Sequence, residues 1–230
     1  MVQHNRNSDK KVKKKRNFLM DNYGMNLCNR INNQSFPLSM KGIEILPMEE
    51  QDISNLLSLS RDPEIWQHYS VDAGNDRVFI DYMMGSLLQK ENGKRFPFVV
   101  RLKQSGRVIG STQFLDIQEE HLKLEIGFTW YTKNDRSKGI NEVCKYLLLK
   151  LCFEVLGLRR VQFKTNENNL TSRHALLKIG TSFEGILRND IVGFTGSKRN
   201  SAYYSIIEEE WPKVKQHLEQ LIESKSQTWT

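Results

Sequence analysis

The chain has 230 residues, 38% of them hydrophobic and 27% charged, with 34 Lys/Arg against 27 Asp/Glu. That length supports one substantial α/β domain with an appendage, and no apolar run approaches the roughly 18 residues a membrane-spanning helix needs. Three cysteines, Cys28, Cys144 and Cys152, exclude a disulfide framework and show no zinc spacing; with no apolar signal-peptide core, a cytoplasmic protein without bound metal is expected.

The net charge of +7 is unevenly spread. Residues 1–40 hold eight Lys/Arg against two Asp, a net of +6, whereas the remainder is nearly neutral. Residues 1–35, with the cluster Lys10–Arg16, are expected to form a basic, flexible extension. Electrostatic contact with nucleic acid, the ribosome or another anionic surface is the alternative use of that tail.

Ordered sequence is expected over 36–230. Gly42 to Pro47 alternates like a strand, and Pro47 ends it. Helical spacing follows over 49–60, through Ile53, Leu56 and Leu57, and again over 62–69 and 77–89. Asp62-Pro63 supplies a cap followed by proline at the first helical position. The period then shortens. Segments 96–102, 107–115 and 122–130 read as strands joined by turns at 103–106 and 118–121, an antiparallel meander.

The longest helical signal comes next: Ile140, Val143, Cys144, Leu147, Leu148, Leu151 and Val155, closed at Gly157. On this helix Cys144 and Cys152 read as small buried hydrophobes. Strand 161–165, helix 172–179, strands 183–187 and 201–207 and helix 212–224 complete the chain. This order predicts an α+β fold, a mixed, mostly antiparallel central sheet flanked by helices on both faces. Neither a Gly-x-Gly-x-x-Gly turn after a first strand nor a Gly-Lys-Ser/Thr phosphate loop is present.

The segment Arg136-Ser137-Lys138-Gly139-Ile140-Asn141 opens the longest helix. Backbone N–H groups and the macrodipole at a helix N-terminus attract anions. Arg136 and Lys138 add positive charge, and Gly139 removes the side chain where a phosphate would crowd the backbone. The same residues would serve equally as an ordinary surface loop capped at Gly139.

Arg-x-x-Gly-x-Asn, between an Ile-Gly-aromatic strand and a long helix, resembles the coenzyme A site of the GNAT acyltransferase superfamily. Asn141 departs from the Gly/Ala usual at the last position of that motif, as in the RimJ/RimL-type branch of ribosomal-protein N-terminal acetyltransferases. The resemblance extends over about 36–215, through Asn169 to Arg173, Lys178-Ile-Gly180, Phe183-Glu184-Gly185 and Leu187-Arg188.

It implies acetyl-CoA as co-substrate and acetyl transfer to a primary amine by direct attack. The strand should part from its neighbour after Trp130, with pantetheine paired to main-chain groups of Phe128, Thr129 and Trp130. Backbone groups of Arg136, Ser137, Lys138, Gly139, Ile140 and Asn141 would hold the pyrophosphate. Asn169 and Arg173 would also touch the cofactor.

Ser172 matches the position proposed to protonate the thiolate, though it would also suit the N-cap of its helix. Glu125 matches a strand position that carries a base in some members, or is a buried, satisfied carboxylate. The glutamate that acts as base in the ribosomal-protein enzymes is Ile191 here, which leaves the adjacent Asp190 as a second base. His174 reads as exposed, His68 as a packing residue that could also shape the pocket, and only one of Tyr203 and Tyr204 can face the substrate side, with core packing the default for both. A protein N-terminus, such as that of a ribosomal protein, is the first acceptor implied. A polyamine, amino sugar or antibiotic, or a non-catalytic CoA- or ribosome-binding role, are the alternatives. A homodimer is a family-based expectation.

Overall fold

Alternation decides which face each strand buries. In the segment Phe96–Leu102, Phe96, Phe98, Val100 and Leu102 enter one core, while Val99 enters a second core on the opposite side. The computed structural model describes residues 26–225. Its strands are β1 (Leu38–Met40), β2 (Ile43–Pro47), β3 (Phe96–Leu102), β4 (Val108–Gln118), β5 (Lys123–Tyr131), β6 (Arg160–Asn166), β7 (Ser182–Val192) and β8 (Lys198–Ile207). They form one sheet in the order β1-β2-β3-β4-β5-β6-β8-β7, antiparallel throughout except for the β5–β6 pair.

Helices cover both faces, as the element order predicts. The larger core receives α1 (Leu27–Asn32), α5 (Ile140–Lys150), a π-helical turn at Leu151–Val155, α6 (Leu170–Lys178) and α7 (Trp211–Ser224). The smaller core receives α2 (Asp52–Leu59), α3 (Pro63–Trp66) and α4 (Asp76–Glu91). No helix among the described residues is long and apolar enough to cross a membrane.

Several boundaries differ from expectation. The body begins before residue 36, because α1 buries Leu27, Cys28 and Ile31 in the larger core. Arg30, counted with the basic tail, is itself buried and donates from Nη2 to the Leu156 carbonyl at 2.7 Å. The Lys10–Arg16 cluster lies outside the described residues. The helix expected over 62–69 shortens to Pro63–Trp66, with Asp62 capping Glu64 N–H and Pro63 in the first turn as anticipated. The helix expected from Ser172 starts at Leu170.

Two irregularities of β5 shape the site. It pairs with β6 over only three positions, Lys123↔Arg160, Leu124↔Val161 and Glu125↔Gln162. Beyond them the strands part, so the gap opens after Glu125 and not after Trp130. On its other side β5 carries a bulge, since Ser111 pairs with Trp130 but Gln113 with Gly127. Phe128 takes a left-handed φ of 48° there. A bulge bends its strand, which accounts for the early parting.

Candidate active site

The N-terminus of α5 faces this gap. Ser137 and Gly139 have φ of 61° and 93°, a double left-handed turn that delivers the chain into the helix. A side chain is strained in that region, so glycine at 139 is the conformationally suited residue. The first intrahelical bond runs from Val143 N–H to the Gly139 carbonyl, at 3.2 Å. The N–H groups of Ile140, Asn141 and Glu142 therefore precede the ladder. Glu142 turns its carboxylate back onto its own N–H. Ile140 and Asn141 offer the remaining donors to an anion.

The charges around this end differ from expectation. Arg136 clips the loop to α3, donating to Tyr131 O at 3.0 Å, Asp62 Oδ2 at 2.8 Å and Glu64 Oε2 at 3.1 Å. Its guanidinium is committed to those partners, and Lys138 is exposed on the loop. Lys178 and Lys225 converge instead on Glu142 Oε1, at 2.6 and 3.0 Å. Burial alone would raise the Glu142 pKa, but these two ammonium groups and its own N–H bring it below the ordinary carboxylate range.

Behind the helix end lies a cleft of about 710 Å³, lined by Phe128, Thr129, Trp130, Arg136, Ser137, Gly139, Asn141, Asn169 and Ser172 from the expected set. Phe128 stacks on Tyr82 with ring centroids 4.1 Å apart and also meets Trp66 and Tyr69, forming an aromatic wall. Tyr69 Oη donates to the Thr129 carbonyl at 2.9 Å. One main-chain acceptor expected for pantetheine is thus already engaged.

Asn169, not Ser172, caps α6: its Oδ1 accepts from Ser172 N–H at 3.0 Å. That leaves the Ser172 hydroxyl in the cleft and outside the capping role. Arg173 has partners within the protein. Its Nε donates to Tyr204 Oη and its Nη1 to Glu167 O, both at 3.0 Å, and its guanidinium stands over the Phe183 ring. It braces the β7–β8 sheet and, like Glu125 and Asp190, is not among the residues that line the cleft. His174 is exposed, and His68 lines the cleft with its pKa lowered by burial and by Arg199.

Glu125 is the last β5 residue paired to β6 and is 5% exposed. Gln162 Nε2 donates to its Oε2 at 3.4 Å. Burial pushes its pKa above the ordinary carboxylate range; Lys164 and Gln162 oppose that, while Asp116 and Asp190 add to it. Asp190 accepts from Tyr203 Oη at 3.3 Å, with Lys164 Nζ 3.9 Å away. Tyr203, pushed up to about 12 by burial and Asp190, is the tyrosine on this side, and Tyr204 is fully buried in the larger core.

Sequence reasoning missed Lys145. It is 3% exposed, lines the cleft and donates from Nζ to Thr129 Oγ1 at 2.8 Å. The signal was present in its position, one residue after Cys144 and three before Leu148, inside the apolar stripe of α5.

The acetyltransferase (GNAT) domain family matches residues 43–182, and the chain belongs to that family. It is an acyl-CoA-dependent N-acetyltransferase. The p20 protein of Bacillus licheniformis, an uncharacterized N-acetyltransferase, is 28% identical over 146 residues, covering 62% of this chain and 80% of its own length. YdaF of Bacillus subtilis, provisionally named a ribosomal N-acetyltransferase, is 30% identical over 110 residues, 48% of this chain and 59% of that protein. A crystal structure from T. thermophilus, provisionally named an acetyltransferase, superposes with a TM-score of 0.72 at 30% identity, covering 82% of this chain and 99% of that one.

Proposed function

We propose that the chain transfers acetyl from acetyl-CoA to the terminal amine of a protein, with a ribosomal protein as the first candidate. The observation that carries this reading is the gap past Glu125 and Gln162, where β5 offers unpaired main chain beside the N-terminus of α5. An extended pantetheine arm can pair there as an added strand, with the pyrophosphate on the N–H groups of Gly139, Ile140 and Asn141. The bound thioester supplies an acetyl group already activated for attack.

Glu125 receives the proton of the attacking amine, with Asp190 as the second candidate. Its raised pKa makes it a better base than an ordinary carboxylate. An α-amine, with a pKa of about 8, needs less help to become neutral than a lysine at about 10.4. That difference and the likeness to YdaF favour a protein N-terminus. Glu125, Asp116 and Asp190 on one side favour a polyamine as the second reading, opposed by Lys164 and Arg199. A cytoplasmic homodimer belongs to the same proposal. β7 is an edge strand with Phe183, Ile186, Leu187 and Val192 exposed, a surface on which a second copy would seat.

Calorimetric titration of acetyl-CoA into wild type and Gly139→Glu tests the cofactor site. Saturable binding, lost in a folded variant, is expected. Thiol release should then be faster with N-terminal peptides of ribosomal proteins than with spermidine. A reversed preference would move the acceptor to polyamines, and a wild type that binds no acetyl-CoA would sink the reading.

A further inference from the structure

Among the described residues Lys145 is a buried cation that no carboxylate pairs with. Its Nζ donates to Thr129 Oγ1 at 2.8 Å, and that hydroxyl is shared with Thr112 Oγ1 at 2.8 Å. On the other side Nζ lies 5.9 Å from the centre of the Phe163 ring. Thr129 belongs to β5 and Phe163 to β6, so the ammonium spans the floor of the gap between them. Five residues into α5, its side chain tilts back toward the helix start, as helical side chains do. An arm running from that start into the gap passes over Nζ.

We propose that the Lys145 ammonium protonates the departing thiolate of coenzyme A, the role that the family resemblance gave to Ser172. The assignment rests on the acetyl-CoA reading above. The acceptor nitrogen forms the new C–N bond. The C–S bond breaks with its electron pair passing to sulfur, and sulfur takes a proton from Nζ. The proton lost by the acceptor nitrogen passes to a carboxylate and on to solvent, and Lys145 regains one from solvent. The products are the acetylated amine and the free thiol.

Two features suit Lys145 to this role better than a serine hydroxyl. A positive charge in a dry site stabilises the developing thiolate before any proton moves. Burial also brings the Lys145 pKa down to about 8, close to the roughly 8.5 of an ordinary thiol, the match at which proton transfer is efficient. The groups facing Nζ are few. Cys144 adjoins it on α5, the Thr129 hydroxyl, itself bonded to Thr112, faces it from β5, and the Phe163 ring faces it from β6. Glu142, one turn earlier, is engaged by Lys178 and Lys225.

The test needs no acceptor. Free coenzyme A is bound to wild type, Lys145→Met and Lys145→Gln, and the ultraviolet absorbance of its thiolate is followed against pH. An ammonium beside the sulfur should place the thiolate midpoint in wild type about one pH unit or more below that in both variants. Lys145→Gln keeps a hydrogen bond to Thr129 without the charge, so loss of packing cannot mimic the result. Equal midpoints in all three proteins, with binding retained, would overturn the role of Lys145 alone. A wild-type midpoint at or above that of free coenzyme A would overturn it whatever the variants do. Absence of coenzyme A binding by wild type would bring down the cofactor reading as well.

Discussion

Replacing Lys145 by methionine removes one buried charge and leaves a side chain of similar length, so its effect on folding can be worked out in advance. In the folded chain the Lys145 pKa falls from 10.5 to about 8, because burial penalises the ammonium. At about 1.36 kcal/mol per pH unit, that difference amounts to about 3 kcal/mol. Above 10.5 the amine is neutral in both states and the penalty vanishes. As pH falls toward 8 the unfolded chain takes up a proton that the folded chain resists, and stability is lost; below 8 the loss is complete. Wild type should therefore gain about 3 kcal/mol between pH 8 and 10.5. Lys145→Met should lack that gain and be the more stable protein at neutral pH, less about 1 kcal/mol for the lost bond to Thr129. Urea unfolding of both proteins at several pH values across this window measures the difference. Titrations that do not sense Lys145 cancel in it; the adjoining Cys144 thiol, which burial moves to about 11 and Lys145 holds down, is the one that does not. A stability difference that stays constant with pH would refute the reasoning.

Glu125→Gln should slow acetyl transfer by about 10²-fold or more, the usual contribution of a general base. Because burial raises the Glu125 pKa, its contribution to stability is present in acid and lost as pH rises through the raised value. Thermal melts should therefore show the variant more stable than wild type at neutral pH, with the advantage fading below the ordinary carboxylate range. Asn169→Ala removes the α6 cap and should cost about 1 kcal/mol in chemical denaturation, whereas Ser172→Ala should leave stability near wild type. Gly110→Ala would set a Cβ 2.1 Å from the Trp130 carbonyl, and about 3 kcal/mol or more of destabilisation is expected by the same measurement.

The meander and α5 were legible because their apolar periods are long and regular. Phe96 to Leu102 matches its observed strand end to end. Short elements were not, since α1 and β1 carry too few residues to establish a period, and what they bury becomes evident only against the assembled sheet. The helix-entry loop was legible from Gly139, whose left-handed φ does what the glycine suggests. The partners of Arg136 were not, because Asp62 and Glu64 lie more than 70 positions away in the chain. The contacts of Arg173 were hidden for the same reason, since they include Tyr204 on β8. Lys145 went unread because sequence alone credits a lysine with an exposed end, and only the surrounding walls show otherwise.

The single extra residue opposite Thr112 works as a frameshift in β5. In an unbroken strand Glu125, Gly127, Thr129 and Tyr131 would share one side. After the insertion at Phe128, Phe128 and Trp130 join the smaller core while Tyr131 joins the larger one, together with Leu124 and Ile126. Thr129 is turned to Lys145 by the same shift. Aromatic wall and hydroxyl floor are thus written in different registers of one strand. Removing Phe128 would close the ladder with Thr129, Trp130 and Tyr131 on their present sides, and would take away both the bend and the ring that stacks on Tyr82.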